Sequence, residues 1–138
     1  ARGAGESGAK GPTDITRFGF LGHAGEMVRA SAAGLALDAA RLPVLPGTRE
    51  LAEAGQFSGA MKRNRRHVDA TFGADLTIDA SVPGYLGSLL TESETSGGLL
   101  FSVAPDRAGT VLDAFKRLGE ECWEIGSVLA EPVIRIRA

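Results

Sequence analysis

The sequence predicts an α+β domain built on a mixed sheet, and three observations in its last third carry that expectation. Leu99-Leu100-Phe101-Ser102-Val103 is a nearly unbroken apolar run and reads as a strand covered on both faces. After Pro105, residues Ala108, Val111, Leu112, Phe115 and Leu118 share one helical face, opposed by Asp113, Lys116 and Arg117, and Gly119 closes the helix. Residues 133–137 then alternate, with Ile134 and Ile136 facing one way and Arg135 and Arg137 the other. With a strand candidate at 122–128, the series from 99 to 128 implies a right-handed crossover between parallel strands. The short connection through Glu131-Pro132 favours an antiparallel return.

The earlier elements follow in order. Residues 1–12 are glycine-rich and end in Gly11-Pro12, which predicts a loose lead-in. Phe20, Leu21, Ala24, Met27 and Val28 recur at helical spacing, with Glu26 and Arg29 turned away, so a helix over 20–33 is expected, ending before Gly34. Residues 35–38 are a short strand candidate. The stretch from Pro43 to Gly47 is turn-rich, and Thr48 is placed to cap a short helix running to Gly55. Residues 60–67 are strongly basic, residues 71–82 alternate weakly, and Pro83 opens a short helix carrying Tyr85, Leu86, Leu89 and Leu90.

Bulk composition narrows the function classes. The 138 residues fit one domain, and a net charge of -2 supplies no field for a nucleic-acid backbone. No apolar run approaches the roughly 20 residues of a membrane span, and no charged-then-apolar leader opens the chain. The lone Cys122 cannot form an internal disulfide, which fits a reducing compartment and a cytoplasmic location. The opening Ala1-Arg2-Gly3-Ala4-Gly5 reads as the interior of a longer polypeptide.

Three segments could carry chemistry. In Thr13-Asp14-Ile15-Thr16-Arg17-Phe18-Gly19-Phe20-Leu21-Gly22-His23 a carboxylate precedes a glycine-containing turn that opens a helix. Unpaired N–H donors there favour an anion, and Asp14 could hold Mg2+, which takes one or two carboxylates plus phosphate oxygens. Spacing alone leaves the other reading open, that Asp14 or Thr16 caps a turn. In Glu94-Thr95-Ser96-Gly97-Gly98, small hydroxyls and paired glycines make either an anion nest or a turn entering a strand. Lys62-Arg63-Asn64-Arg65-Arg66-His67 lacks neighbouring aromatics for base stacking and reads as a solvated helix face rather than a nucleic-acid contact. His23, His67 and Cys122 show no zinc-like spacing. His23 reads as a satisfied structural histidine, and Cys122 beside Trp123 as a core residue.

Taken in series, these segments resemble the carboxy-terminal domain of selenophosphate synthetases (selenide, water dikinases). The first is similar to that family's T-D-[VI]-T-G-F-G-[LI]-x-G-H, and Glu94 to Leu100 to its Q-T-S-G-G-L-L. Arg63-Asn64 falls where the family has an R-N pair, and Ile125-Gly126-Ser127-Val128 resembles its I-G-x-V. The resemblance implies a three-layer α/β/α domain like the carboxy-terminal domain of aminoimidazole ribonucleotide synthetase. It implies that residues 1–138 are the carboxy-terminal domain of a larger two-domain enzyme, which converts ATP, selenide and water into selenophosphate, AMP and phosphate using Mg2+. The implied partner is the amino-terminal ATP-binding domain, in a homodimeric whole; that domain would carry the nucleophile, so no catalytic side chain is assigned here. Asp14 matches the family's metal-binding aspartate. Thr13, Asn64, Ser96, Gly97 and Gly98 match positions that face the nucleotide phosphates or product.

Two departures stand out. Arg17 replaces the first glycine of T-G-F-G: it would be strained if that position needs positive φ, and could add a contact if it faces phosphate. Glu92-Ser93-Glu94 replaces the usual D-P-Q. The expected enzyme part is inactive on its own, and two alternatives stand beside it: a non-catalytic binding or dimerisation module, and part of another phosphotransferase of the same superfamily, such as a thiamine monophosphate kinase relative.

Overall fold

A computed structural model describes residues 10–138; of the lead-in expected over residues 1–12, residues 1–9 lie outside them. The described residues form six strands and five α-helices: β1 (Lys10–Asp14), α1 (Gly19–Ser31), β2 (Gly34–Asp38), α2 (Thr48–Glu53), α3 (Met61–Phe72), β3 (Leu76–Ile78), α4 (Gly84–Leu89), β4 (Leu99–Ser102), α5 (Ala108–Arg117), β5 (Gly126–Leu129) and β6 (Ile134–Arg137). The strands form two sheets. One is a two-stranded antiparallel ribbon of β1 and β4; the other is four-stranded, in the order β3-β6-β2-β5. In the larger sheet β2 and β3 run parallel to β6, and β5 runs antiparallel to β2. The expected α+β class with a mixed sheet is the one observed.

Its connectivity differs from the expected one in three places. Residues 10–12 are strand rather than lead-in, because β1 pairs with β4, matching Thr13 to Leu100 and Asp14 to Leu99. The strand at 99 therefore lies in a ribbon, not a central position. Only its Leu100 is buried, while Leu99 is 45% exposed. No parallel crossover links β4 to β5, since they belong to different sheets. Nor do β5 and β6 pair: β2 lies between them. The 130–133 connection crosses the start of β2 so closely that a Cβ on Gly34 would collide with the Glu131 and Val133 carbonyl oxygens. Glycine here permits the crossing.

α1 joins the two sheets. Its Leu21 and Val28 enter the main core with Leu37 of β2, Val68 of α3, Leu86 of α4, and Ile134 and Ile136 of β6. Its Ala24 meets Ile15 and Leu100 under the ribbon. The alternation read in residues 133–137 has this cause: Ile134 and Ile136 are buried and their arginine neighbours exposed. Burying each such side chain contributes about 1.5–3 kcal/mol. α1 and α3 approach closely where Gly25 faces the Phe72 ring, with no room for a Cβ.

Other local expectations shift. Gly47, at φ 83°, occupies the N-cap of α2, so Thr48 begins that helix without capping it. The basic run lies on α3, where Asn64 and Val68 alone are buried and Arg65 pairs with Asp69 at 2.8 Å. Cys122 and Trp123 precede β5 rather than forming it. Cys122 is half-buried and Trp123 about half exposed, so neither is a core residue. Phe101 of β4 stacks on Phe115 of α5 with ring centroids 5.9 Å apart, which seats α5 against the ribbon. Among the described residues no helix is long and apolar enough to cross a membrane.

Candidate functional site

The site is assembled by backbone contacts at one end of the ribbon. Where β1 ends, the Ile15 N–H donates to the Gly98 carbonyl at 2.9 Å. The Glu94 N–H donates to the Thr16 carbonyl at 3.2 Å, closing the 94–98 bend over the strand end. A Cβ at Gly97 would fall on the Ile15 carbonyl oxygen, whereas at Gly98 it would meet nothing within 4 Å. Neither glycine has positive φ. Close approach, not a left-handed backbone, is what Gly97 supplies. This brings Asp14 beside the Ser96-Gly97-Gly98 bend, as the motif reading requires.

The turn that follows is equally fixed. The Gly19 N–H donates to the Thr16 carbonyl at 2.9 Å, which puts Arg17 and Phe18 at the two central positions of a reverse turn. Phe18 has φ -86° and ψ -1°, the values of the second central residue of a type I turn. Positive φ falls on Gly19, at 75°, where a Cβ would also lie 2.7 Å from the Glu92 carbonyl oxygen. Arg17 does not have positive φ, so the strain considered for arginine at this position is absent. Its carbonyl accepts from the Asn64 side-chain amide at 2.8 Å and from Ser93 Oγ at 2.9 Å.

The predicted residues divide by what they touch. Asp14 is exposed and its carboxylate makes no hydrogen bond or ion pair among the described residues. Neither Asp14 nor Thr16 caps α1, whose N-cap is Phe18 without a side-chain bond. Thr13 is half-buried in β1, opposite Leu100. Ser96, Gly97 and Gly98 are exposed. Asn64 is different: it is 5% exposed, and its amide nitrogen donates both to the Arg17 carbonyl and, at 3.1 Å, to the Thr91 carbonyl. Those donors tie the reverse turn to the end of α4, so Asn64 shapes the site from beneath.

His23 has the structural place read for it, satisfied at one ring nitrogen and not at the other. It is buried, with Nε2 3.0 Å from Thr16 Oγ1 and its ring tilted against Phe18 at 5.9 Å. Nδ1 lies 3.4 Å from a Glu26 carboxylate oxygen, but without the geometry of a hydrogen bond. The i, i+7 spacing of Thr16 and His23, from the turn to the second turn of α1, was the available signal. Among the described residues no group of three or more His, Cys, Asp or Glu could hold a metal ion. The free carboxylate of Asp14 fits a cation as one ligand, with the others supplied by phosphate oxygens, water or another polypeptide.

Fold and site together define an α/β domain that presents the exposed carboxylates of Asp14 and Glu94, neither in an ion pair among the described residues, beside a close-packed glycine bend. The chain belongs to the family described as AIR synthase related protein, C-terminal domain, which it matches over residues 1–138. The selenide, water dikinase of Paraburkholderia xenovorans is 46% identical over 112 residues, 80% of this chain and 30% of that protein. That of Pelobacter propionicus is 42% identical over 127 residues, 90% of this chain and 35% of that protein. The likeness to selenophosphate synthetases therefore holds, and the chain spans only about a third of these relatives' length. E. coli HypE, a hydrogenase maturation protein, shares the fold with a TM-score of 0.62 and 22% identity, covering 95% of this chain and 32% of that one.

Proposed function

We propose that this domain forms the carboxy-terminal wall of a selenophosphate synthetase site, completed by an amino-terminal ATP-binding domain in a homodimeric enzyme. The reaction would convert ATP, selenide and water into selenophosphate, AMP and phosphate. The observation that carries the reading is Asp14: a carboxylate without a partner among the described residues, at a strand end that Ile15 and Gly98 lock beside the Ser96-Gly97-Gly98 bend. Asp14 would contribute one oxygen ligand to Mg2+, the ion that neutralises phosphate charge when bound. Ser96 and the glycine backbone would border the phosphates, and Asn64 would hold the turn in place. Such a wall acts by positioning and charge complementarity. The domain alone is expected to turn nothing over.

The test joins this chain to the amino-terminal domain of a similar selenide, water dikinase. Selenide-dependent AMP formation is expected, with a loss of at least about a hundredfold in Asp14→Asn. Undiminished activity in that variant removes Asp14 from the mechanism. AMP formation that ignores selenide, or ADP formation from another acceptor, favours a different phosphotransferase of the superfamily.

A second reading, a docking module without chemistry, is favoured by the exposed apolar side chains of Phe18 and Leu99, each adjacent to a site segment. Under that reading the joined protein assembles equally well in wild type and Asp14→Asn, and neither forms AMP.

A further inference from the structure

We infer that Arg17 is the anion-contacting cation of this site and sets its preference for metal-complexed polyphosphate; the inference rests on the reading of Asp14 above. Charge around the bend motivates it. Asp14 and Glu94 are both exposed, and neither carboxylate has an ion-pair partner among the described residues. Two free carboxylates flanking a bend repel a bare anion. A phosphate ligand can settle there only with countercharge, from its own metal ion and from the protein.

Arg17 supplies the protein's share. It is the charged residue of the reverse turn between Asp14 and α1, exposed and without an ion pair among the described residues. Its backbone is held by Asn64 and Ser93, and the neighbouring Thr16 carbonyl by Glu94 and Gly19, so the side chain departs from a fixed base. Two residues lie between it and Asp14, so three Cα–Cα steps put their Cα atoms at most about 11 Å apart. A long guanidinium side chain and a carboxylate on that base can address one Mg2+–polyphosphate from two sides. The guanidinium fork also matches phosphate oxygens in a bidentate way that an ammonium does not.

The experiment is calorimetric titration of the 138-residue chain with tripolyphosphate, with and without Mg2+. Wild type is compared with Asp14→Asn, Arg17→Gln, Arg17→Lys and, as a remote exposed control, Arg29→Gln, with folding of each checked by circular dichroism. Binding is expected only with Mg2+ and weakens about tenfold in Arg17→Gln, as for loss of one charge-assisted contact. Arg17→Lys should fall between, and Arg29→Gln should match wild type. Equal affinity in Arg17→Gln and wild type overturns the inference while an effect of Asp14→Asn keeps the metal-site reading. Weakening by Arg17→Gln without any effect of Asp14→Asn overturns that reading and leaves Arg17 as an anion contact. Equal losses in Arg17→Gln and Arg29→Gln reduce the effect to net charge and overturn it, as does absence of binding at millimolar tripolyphosphate with Mg2+.

Discussion

Replacing Asn64 with alanine should destabilise the free domain strongly, although no ligand is bound. The side chain is 5% exposed and its amide nitrogen reaches two carbonyl oxygens, those of Arg17 at 2.8 Å and Thr91 at 3.1 Å. Each lost hydrogen bond removes about 1 kcal/mol net. The Arg17 carbonyl keeps Ser93 Oγ as a donor, but the Thr91 carbonyl belongs to a residue with no exposed surface and would be left without this partner. A buried acceptor left unpaired adds roughly 1–3 kcal/mol, so the total is about 3–5 kcal/mol. For a domain of this size that corresponds to a fall in Tm of roughly 10–15 °C. Asn64→Asp should be at least as damaging, because a carboxylate cannot donate and faces two carbonyl oxygens. Thermal and urea unfolding followed by circular dichroism measures both. A loss below about 0.5 kcal/mol in Asn64→Ala would refute the structural role and return Asn64 to the ligand side of the site.

Two further outcomes follow from the same geometry. Gly97→Ala should cost about 1–3 kcal/mol and reduce exchange protection of the Ile15 amide, because the new methyl falls on the Ile15 carbonyl. Gly98→Ala, with open space and no positive φ, should be neutral or slightly stabilising, and similar urea midpoints for the two variants would contradict this. The Asp79 carboxyl is held below the usual carboxylate range by hydrogen bonds from the Ser81 hydroxyl and backbone N–H. Its stabilising effect is therefore present above the unfolded-state pKa and disappears as pH falls through the lower folded-state value. Ser81→Ala should raise the Asp79 titration midpoint seen by NMR, and an unchanged midpoint would count against the hydroxyl as the main cause.

The elements most legible in the sequence were those whose side-chain period decides their burial. α1 follows a 3.6-residue period and β6 a period of two, and each buries the predicted face, whereas α5 buries only Val111 of its apolar face and leaves Leu118, just past its end, 61% exposed. Strand partnership was not legible, because an apolar run reports burial rather than neighbour. Residues 99–103 read as a central strand, yet their partner is Lys10–Asp14, whose Gly11-Pro12 carries no strand pattern of its own. The order β6-β2-β5 likewise depends on a chain crossing over Gly34. A lone glycine at the start of an apolar segment does not announce what passes above it.

The candidate site was half legible for a related reason. Asp14 and the Ser96-Gly97-Gly98 bend stood out because polar and flexible residues beside hydrophobic runs are conspicuous in one dimension. What joins them is nearly all backbone: Ile15 to Gly98, Glu94 to Thr16, Gly19 to Thr16. The side chains that secure that backbone hide inside ordinary patterns. Asn64 sits within a basic run and becomes distinctive only when α3 turns it under the reverse turn, and His23 resembles any polar residue on an amphipathic helix until Thr16 is found 3.0 Å away. The same framework explains how Arg17 is accommodated. With Gly19 taking the positive φ and Asn64 and Ser93 holding the Arg17 carbonyl, the backbone at residue 17 asks nothing of its side chain. That position is free to vary in charge without disturbing the fold, which is where a site built on main chain can change what it binds.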